Sequence, residues 1–223
     1  MCGRFVITLP DDAMAQLFDA VPANDLPSVP NFNVCPTNRV HAVRVEEGHR
    51  RLVAMRWGFL PHWYKNETDG PLLINARADS IADKPAFRSA VRERRCLIPA
   101  SGFYEWTRDA DGRRLPWYIR PADGDTIAFA GIWQDWTPKG GGDRVTGCAI
   151  VTTETNRALA HIHHRMPVTI AAADWPLWLG EAGKGAAALM QPAPEETFVA
   201  HRVAPRVNSN RARGADLIEP VSS

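Results

Sequence analysis

Apolar positions along this chain alternate with polar ones more often than they recur every three or four residues, and alternation marks strands with one buried face. Arg4-Phe5-Val6-Ile7-Thr8 reads as a short strand. Val40 to Val45 and Arg51 to Trp57 read as the arms of a hairpin that turns through Glu46-Glu47-Gly48-His49, a Gly-containing connection of hairpin length. Trp117 to Arg120, Thr126 to Trp133 and Val145 to Thr152 continue the pattern between Gly-rich turns. Helical spacing is confined to short pieces. Asp11 to Asp19 sets Met14, Leu17 and Phe18 on one face, and Pro85 to Arg92 does the same with Phe87, Ala90 and Val91. Asn156 to His161, Ala172 to Leu179 and Gly185 to Met190 complete the expected helices. No internal repeat or low-complexity tract interrupts this order, and only Lys139-Gly140-Gly141-Gly142 and the last few residues look flexible. Together these elements predict an α+β fold: a single domain over residues 1–223 with a mostly antiparallel, barrel-like β-sheet core and interspersed short helices.

Composition narrows the function classes. A chain of 223 residues with 45% apolar content can bury a substantial core. Its formal charge of +1 excludes a strongly basic protein, so any contact with nucleic acid must come from local arginine patches. The four cysteines, Cys2, Cys35, Cys96 and Cys148, form no C-x-x-C pair, and the leading Cys-Gly-Arg-Phe carries no apolar signal region. The expectation is a reduced, cytoplasmic, monomeric protein. Its apolar stretches fall short of the roughly 20 residues a membrane span needs. His161, His163 and His164 cluster, but the spacing disfavours zinc, and no metal or cofactor is expected.

The chemistry concentrates in a few segments. Trimming of Met1 in front of a residue as small as Cys2 leaves an amine and a thiol on neighbouring carbons. Such a 1,2-aminothiol condenses with an aldehyde through its amine, and the thiol then closes a five-membered thiazolidine. Reference pKa values of about 8 for the amine and about 8.5 for the thiol keep both reactive near neutrality. In Leu97-Ile98-Pro99-Ala100-Ser101-Gly102-Phe103-Tyr104-Glu105-Trp106 a single carboxylate lies among apolar neighbours. Desolvation there raises a carboxyl pKa toward the range useful for proton transfer. The other outcome, Glu105 on the wet face of a strand, stays open at this point. His161-Ile162-His163-His164-Arg165-Met166-Pro167 sets imidazoles at a helix end before a strand. Leu73-Ile74-Asn75-Ala76-Arg77-Ala78 puts an amide and a guanidinium on one face of an extended segment, a pair able to grip a phosphate or to make a plain surface ion pair. Trp57-Gly58-Phe59-Leu60-Pro61-His62-Trp63 supplies rings for stacking unpaired bases or for the core.

Read in order, Cys-Gly-Arg-Phe, Asn-Ala-Arg-Ala, Arg-Cys-Leu-Ile-Pro-Ala with Gly-Phe-Tyr-Glu-Trp, and His-x-Arg-Met-Pro resemble the SOS-response-associated peptidase (SRAP) family from Cys2 to about Pro220. Asp79-Ser80 stands where the family often has Glu-Thr, and counting back two from Arg165 selects His163 as the matching imidazole. The resemblance implies a sensor of abasic sites in single-stranded DNA that captures the sugar aldehyde as a thiazolidine. It assigns amine and thiol to Cys2, proton transfer to Glu105 and His163, and orientation of the N-terminus or a phosphate to Asn75. Arg4, Arg77 and Arg165 would hold the DNA backbone, Trp63 and Pro36 would stack or wedge bases, and Thr152 would touch a phosphate. Two other classes fit the same residues: an N-terminal-nucleophile cysteine peptidase acting mainly on its own Met1, and a non-covalent single-stranded DNA binder.

Overall fold

The computed structural model describes residues 2–221, so the expected trimming of Met1 falls outside the described residues. Among the described residues, thirteen strands run in chain order: β1 (Phe5–Ile7), β2 (Val21–Pro22), β3 (Asn31–Val34), β4 (Arg39–Glu46), β5 (His49–Trp57), β6 (Asn75–Arg77), β7 (Arg95–Ala100), β8 (Gly102–Arg108), β9 (Arg114–Pro121), β10 (Ile127–Trp136), β11 (Val145–Glu154), β12 (Arg165–Pro167) and β13 (Phe198–Arg202). Three short α-helices are interspersed: α1 (Asp11–Phe18), α2 (Ala90–Glu93) and α3 (Trp175–Leu179). The fold is α+β and mostly sheet, as the alternation predicts.

The strands form two sheets. One is antiparallel in the order β13-β9-β8-β1-β3. The other runs β12-β11-β10-β7-β4-β5-β2, and a parallel pairing of β5 with β11 closes five of its strands into a ring. Closure occurs at Gly147 opposite Arg56 and Cys148 opposite Trp57. A Cβ on Gly147 would lie 2.6 Å from the Gly58 carbonyl oxygen, so only glycine lets the two strands approach this closely. The β4–β5 hairpin turns at Glu47 (φ 51°) and Gly48 (φ 79°), the two successive positive φ values that match strand twist in a two-residue loop.

The main core lies between the sheets and inside the ring, with Phe5, Trp57, Phe103 and Phe129 among its large side chains. Phe5 meets Trp57 edge-on at 5.1 Å and Phe129 at 5.9 Å between ring centroids. A second apolar layer of Val6, Tyr104, Tyr118, Val203, Val207 and Leu217 covers the far face of the antiparallel sheet. Both faces of β8 are therefore buried. Tyr104 does face away from Phe103, but it meets the C-terminal segment instead of water.

Several expected helices are corrected. The expected helix over residues 156–161 is replaced by turns over 157–162, because Asn156 accepts from Leu159 N–H and donates to the Ala193 and Pro194 carbonyls. These side-chain bonds replace the ladder a helix would need. The Pro85 to Arg92 segment becomes α-helical only from Ala90, in α2 (Ala90–Glu93), and Ala186–Leu189 is a 3₁₀ turn. Leu17, expected on the apolar face of α1, is 45% exposed, while Met14 and Phe18 are fully buried. An eight-residue helix buries only the positions that point at the sheet.

Candidate functional site

The expected residues gather in two neighbouring regions, one closed and one open. In the closed region, β1 pairs with β8 through Phe5 opposite Phe103, and Tyr104 N–H donates to the Arg4 carbonyl at 3.0 Å. Antiparallel pairing carries the residues before β1 alongside Glu105. Cys2 is wholly buried and Glu105 is only 3% exposed. Burial pushes the Cys2 thiol far above its ordinary pKa, and the Glu105 charge pushes it further. Burial also raises the Glu105 carboxyl to about 7. The wet-face alternative for Glu105 is thus excluded, and a carboxyl able to exchange protons near neutrality stands beside a protonated thiol.

Register and ring contacts bring the histidine segment to the same corner. Glu105 lies directly opposite Trp117 in the β8–β9 pair, and His161 packs edge-on against Trp117 with centroids 5.5 Å apart. His161 and His164 are exposed, whereas His163 is half-buried. The His163 Nδ1 lies 3.0 Å from Arg165 N and 3.1 Å from Arg165 O. Partial burial lowers the His163 pKa, which favours the neutral imidazole at pH 7.

Strand β11 anchors the strands of the open region. Thr152 is paired with Pro167 of β12 and with Arg77 of β6 at once, so those strands flank its end on opposite edges. Asn75 sits opposite Ile150 on β6. Its amide is shut from solvent, and neither Oδ1 nor Nδ2 has a hydrogen-bond partner among the described residues. Buried amides are nearly always satisfied, so an unsatisfied one is a feature that calls for an explanation. The preceding Ile74 carbonyl accepts from Trp57 Nε1 at 3.0 Å, and Trp57 packs on Phe5, which ties Asn75 to the start of β1.

The open region is a cleft of about 760 Å³ lined by Arg77, Asp79, Thr153, Glu154, His163, His164 and Arg165. Arg165 is 8% exposed, and its Nη2 donates to the Thr152 carbonyl at 2.8 Å and to Thr152 Oγ1 at 3.2 Å. Arg77 is exposed and grips the Asp79 carboxylate through Nε at 3.2 Å and Nη2 at 2.6 Å. Asp79 also pairs with Arg165 Nη1 at 3.4 Å. The Arg77 hydrogen bonds lower the Asp79 carboxyl to about 2.

The remaining expected residues are placed with unequal access. Thr152 is fully buried beneath Arg165, so its contact is with that guanidinium and not with anything in the cleft. Arg4 Nη1 donates to Asn33 Oδ1 at 2.6 Å and to the Val207 carbonyl at 3.0 Å, which ties the N-terminal strand to the C-terminal segment. Pro36 is half-buried in a turn where Asn38 N–H donates to the Cys35 carbonyl. Trp63 is 41% exposed and edge-on to His62 at 5.0 Å. Its loop is pinned by the Trp136 Nε1 bond to the Tyr64 carbonyl at 2.9 Å. The four cysteines are free and buried. Asp79, noted in the sequence only as a departure from the family pattern, lines the cleft together with Thr153 and Glu154, which the sequence did not single out.

Comparison with known proteins adds to this geometry. The profile described as SOS response associated peptidase (SRAP) matches residues 1–210. The chain is 35% identical over 225 residues to the Bacillus subtilis abasic site processing protein YoaM, covering 98% of each. It is 31% identical to the Escherichia coli abasic site processing protein YedK, covering 99% of this chain and 100% of that one. A protein of Bacteroides thetaiotaomicron has the same fold, with a TM-score of 0.86 at 23% identity over 99% of this chain and 100% of that one. With family motifs, fold and near full-length relatives in agreement, the chain belongs to the SOS response associated peptidase (SRAP) family.

Proposed function

We propose that this protein processes abasic sites in single-stranded DNA by capturing the ring-opened sugar as a covalent thiazolidine on Cys2. The observation that carries the reading is the buried pair of Cys2 and Glu105, a thiol held protonated beside a carboxyl that titrates near 7. The names of the relatives, abasic site processing proteins, support the substrate class.

Once Met1 is gone, the Cys2 amine adds to the sugar aldehyde and the resulting carbinolamine loses one water to give an imine. The thiol sulfur then adds to the imine carbon, its proton ends on the nitrogen, and the five-membered ring is closed. A thiol raised by burial does not ionise unaided, so ring closure needs a neighbouring base. Glu105 fills that role as carboxylate, and as carboxylic acid it protonates the departing hydroxyl. His163, neutral with Nδ1 held by Arg165, exchanges protons with the sugar hydroxyls through Nε2. Asn75 completes its amide hydrogen bonds on the N-terminus or the adjoining phosphate. Arg77 and Arg165 hold the flanking phosphates, Trp63 and Pro36 offer faces to neighbouring bases, and Arg4 steadies the strand that carries Cys2.

Intact-mass measurement of the purified protein, alone and after mixing with an abasic single-stranded oligonucleotide, tests the reading in one experiment. The expected result is a chain lacking Met1 that gains the oligonucleotide mass minus one water. A protein that binds the oligonucleotide but gains no covalent mass would leave a non-covalent binder, and cleavage of unrelated peptides without capture would leave a peptidase.

A further inference from the structure

We infer that Asp79 is a built-in phosphate surrogate, occupying the guanidinium groups of the cleft until DNA displaces it and so restraining binding to undamaged strands. The inference rests on the proposed function, because it assigns the cleft to the DNA backbone. It concerns affinity, however, and not the chemistry at Cys2.

The geometry gives Asp79 the position a phosphate would take. One carboxylate bridges two arginines that approach it from different strands: Arg77 on β6 binds it with two nitrogens, and Arg165 on β12 reaches it with Nη1. A phosphate offers the same acceptor oxygens to the same planar forks. Arg165 cannot turn elsewhere, since Thr152 fixes its Nη2 from below through both carbonyl and hydroxyl. Asp79 by contrast is exposed, and its bonds to Arg77 span only two residues, so it can swing aside with little else disturbed. An exposed ion pair contributes little to stability, and a phosphate anchored by the rest of a strand outcompetes it. A lone phosphate passing the cleft has no such advantage.

Glu154 supplies the control. It lines the same cleft but makes no ion pair with either arginine among the described residues. Binding of a fluorescent oligothymidylate with no abasic site, measured by anisotropy over a salt series, separates occupancy from general charge. Asp79→Asn is expected to bind about 3- to 10-fold more tightly than the unaltered chain and to show a log K against log salt slope steeper by up to about 0.7, one further phosphate contact on a single strand. Glu154→Gln, which removes the same charge without freeing a guanidinium, is expected to tighten binding less than about 2-fold. Asp79→Glu keeps the carboxylate and is expected to bind like the unaltered chain. Equal or weaker binding by Asp79→Asn would overturn the inference, and so would an equal gain from Glu154→Gln. A thermal melt of each variant reads out folding. Failure of the proposed function is read separately, as absence of a covalent mass shift with the abasic oligonucleotide while oligothymidylate binding is still measurable.

Discussion

The closed corner around Cys2 and Glu105 and the open cleft around Asp79 each hold a carboxyl, and the two are displaced in opposite directions. Glu105 has lost its water to the core, and desolvation lifts it to about 7. Asp79 keeps its water and gains two guanidiniums, and hydrogen bonds from Arg77 hold it near 2. Burial raises one carboxyl into the range where protons are exchanged, whereas exposure beside guanidiniums holds the other as a charge. The two carboxyls lie on different sheets, Glu105 on β8 and Asp79 just after β6 at the end of β11.

The largest expected effect lies in the closed corner. Cys2→Ala, after loss of Met1, retains an amine and should form only an imine that borohydride traps and heat destroys. On a denaturing gel run without reductant, the heat-stable adduct should vanish. A heat-stable adduct at the unaltered rate would remove the thiol from the chemistry.

Next come the proton carriers. Glu105→Gln and His163→Ala should each slow capture by up to about 10²-fold, the range for a single general acid–base group, with little change in oligonucleotide affinity. A rate profile from pH 6 to 8 should lose its inflection near 7 in Glu105→Gln. If both variants react normally while His161→Ala fails, the wrong imidazole has been assigned.

Stability gives an independent reading of the same carboxyl. Its folded pKa of about 7 exceeds the ordinary value of 4.5, so the folded state holds the proton more tightly than the unfolded chain. The cost of ionising it is absent below pH 4.5, grows as pH rises through the interval, and is complete above 7. At about 1.4 kcal/mol per pKa unit the full cost is on the order of 3 kcal/mol. Denaturant unfolding should find Glu105→Gln more stable than the unaltered chain at pH 8 by up to that amount, with the difference shrinking toward pH 5. A difference independent of pH would mean that Glu105 does not titrate in this interval.

The smallest effect belongs to the open cleft. Arg77→Ala should weaken single-strand binding a few-fold and lower the salt slope by about 0.7, because one exposed phosphate contact is lost. An abasic site within a fully paired duplex should also react more slowly than one in a single strand, since stacking and access to the sugar both require an unpaired nucleotide. Equal capture rates on the two substrates would leave Cys2 a general aldehyde trap.

Much of this protein was legible in its residues alone. Alternation located β1, β4, β5, β10, β11 and part of β9, the Glu47-Gly48 turn fixed the β4–β5 hairpin, and the ordered motifs identified the family. These features depend on local conformation or on residue chemistry, and both are written in short stretches of sequence. Tertiary structure decided whatever depends on what covers a residue. Periodicity could tell that Tyr104 and Glu105 face opposite ways, but not that a C-terminal segment buries one and the core buries the other. Nor could it tell that Thr152 lies beneath Arg165, that Arg4 is tied to Asn33 and Val207, or that Asp79 joins Arg77 to Arg165, 86 residues further along the chain than Asp79 itself. Burial and electrostatic pairing are properties of neighbours brought together from distant positions, and it is those neighbours that set the proton affinity of each carboxyl in this chain.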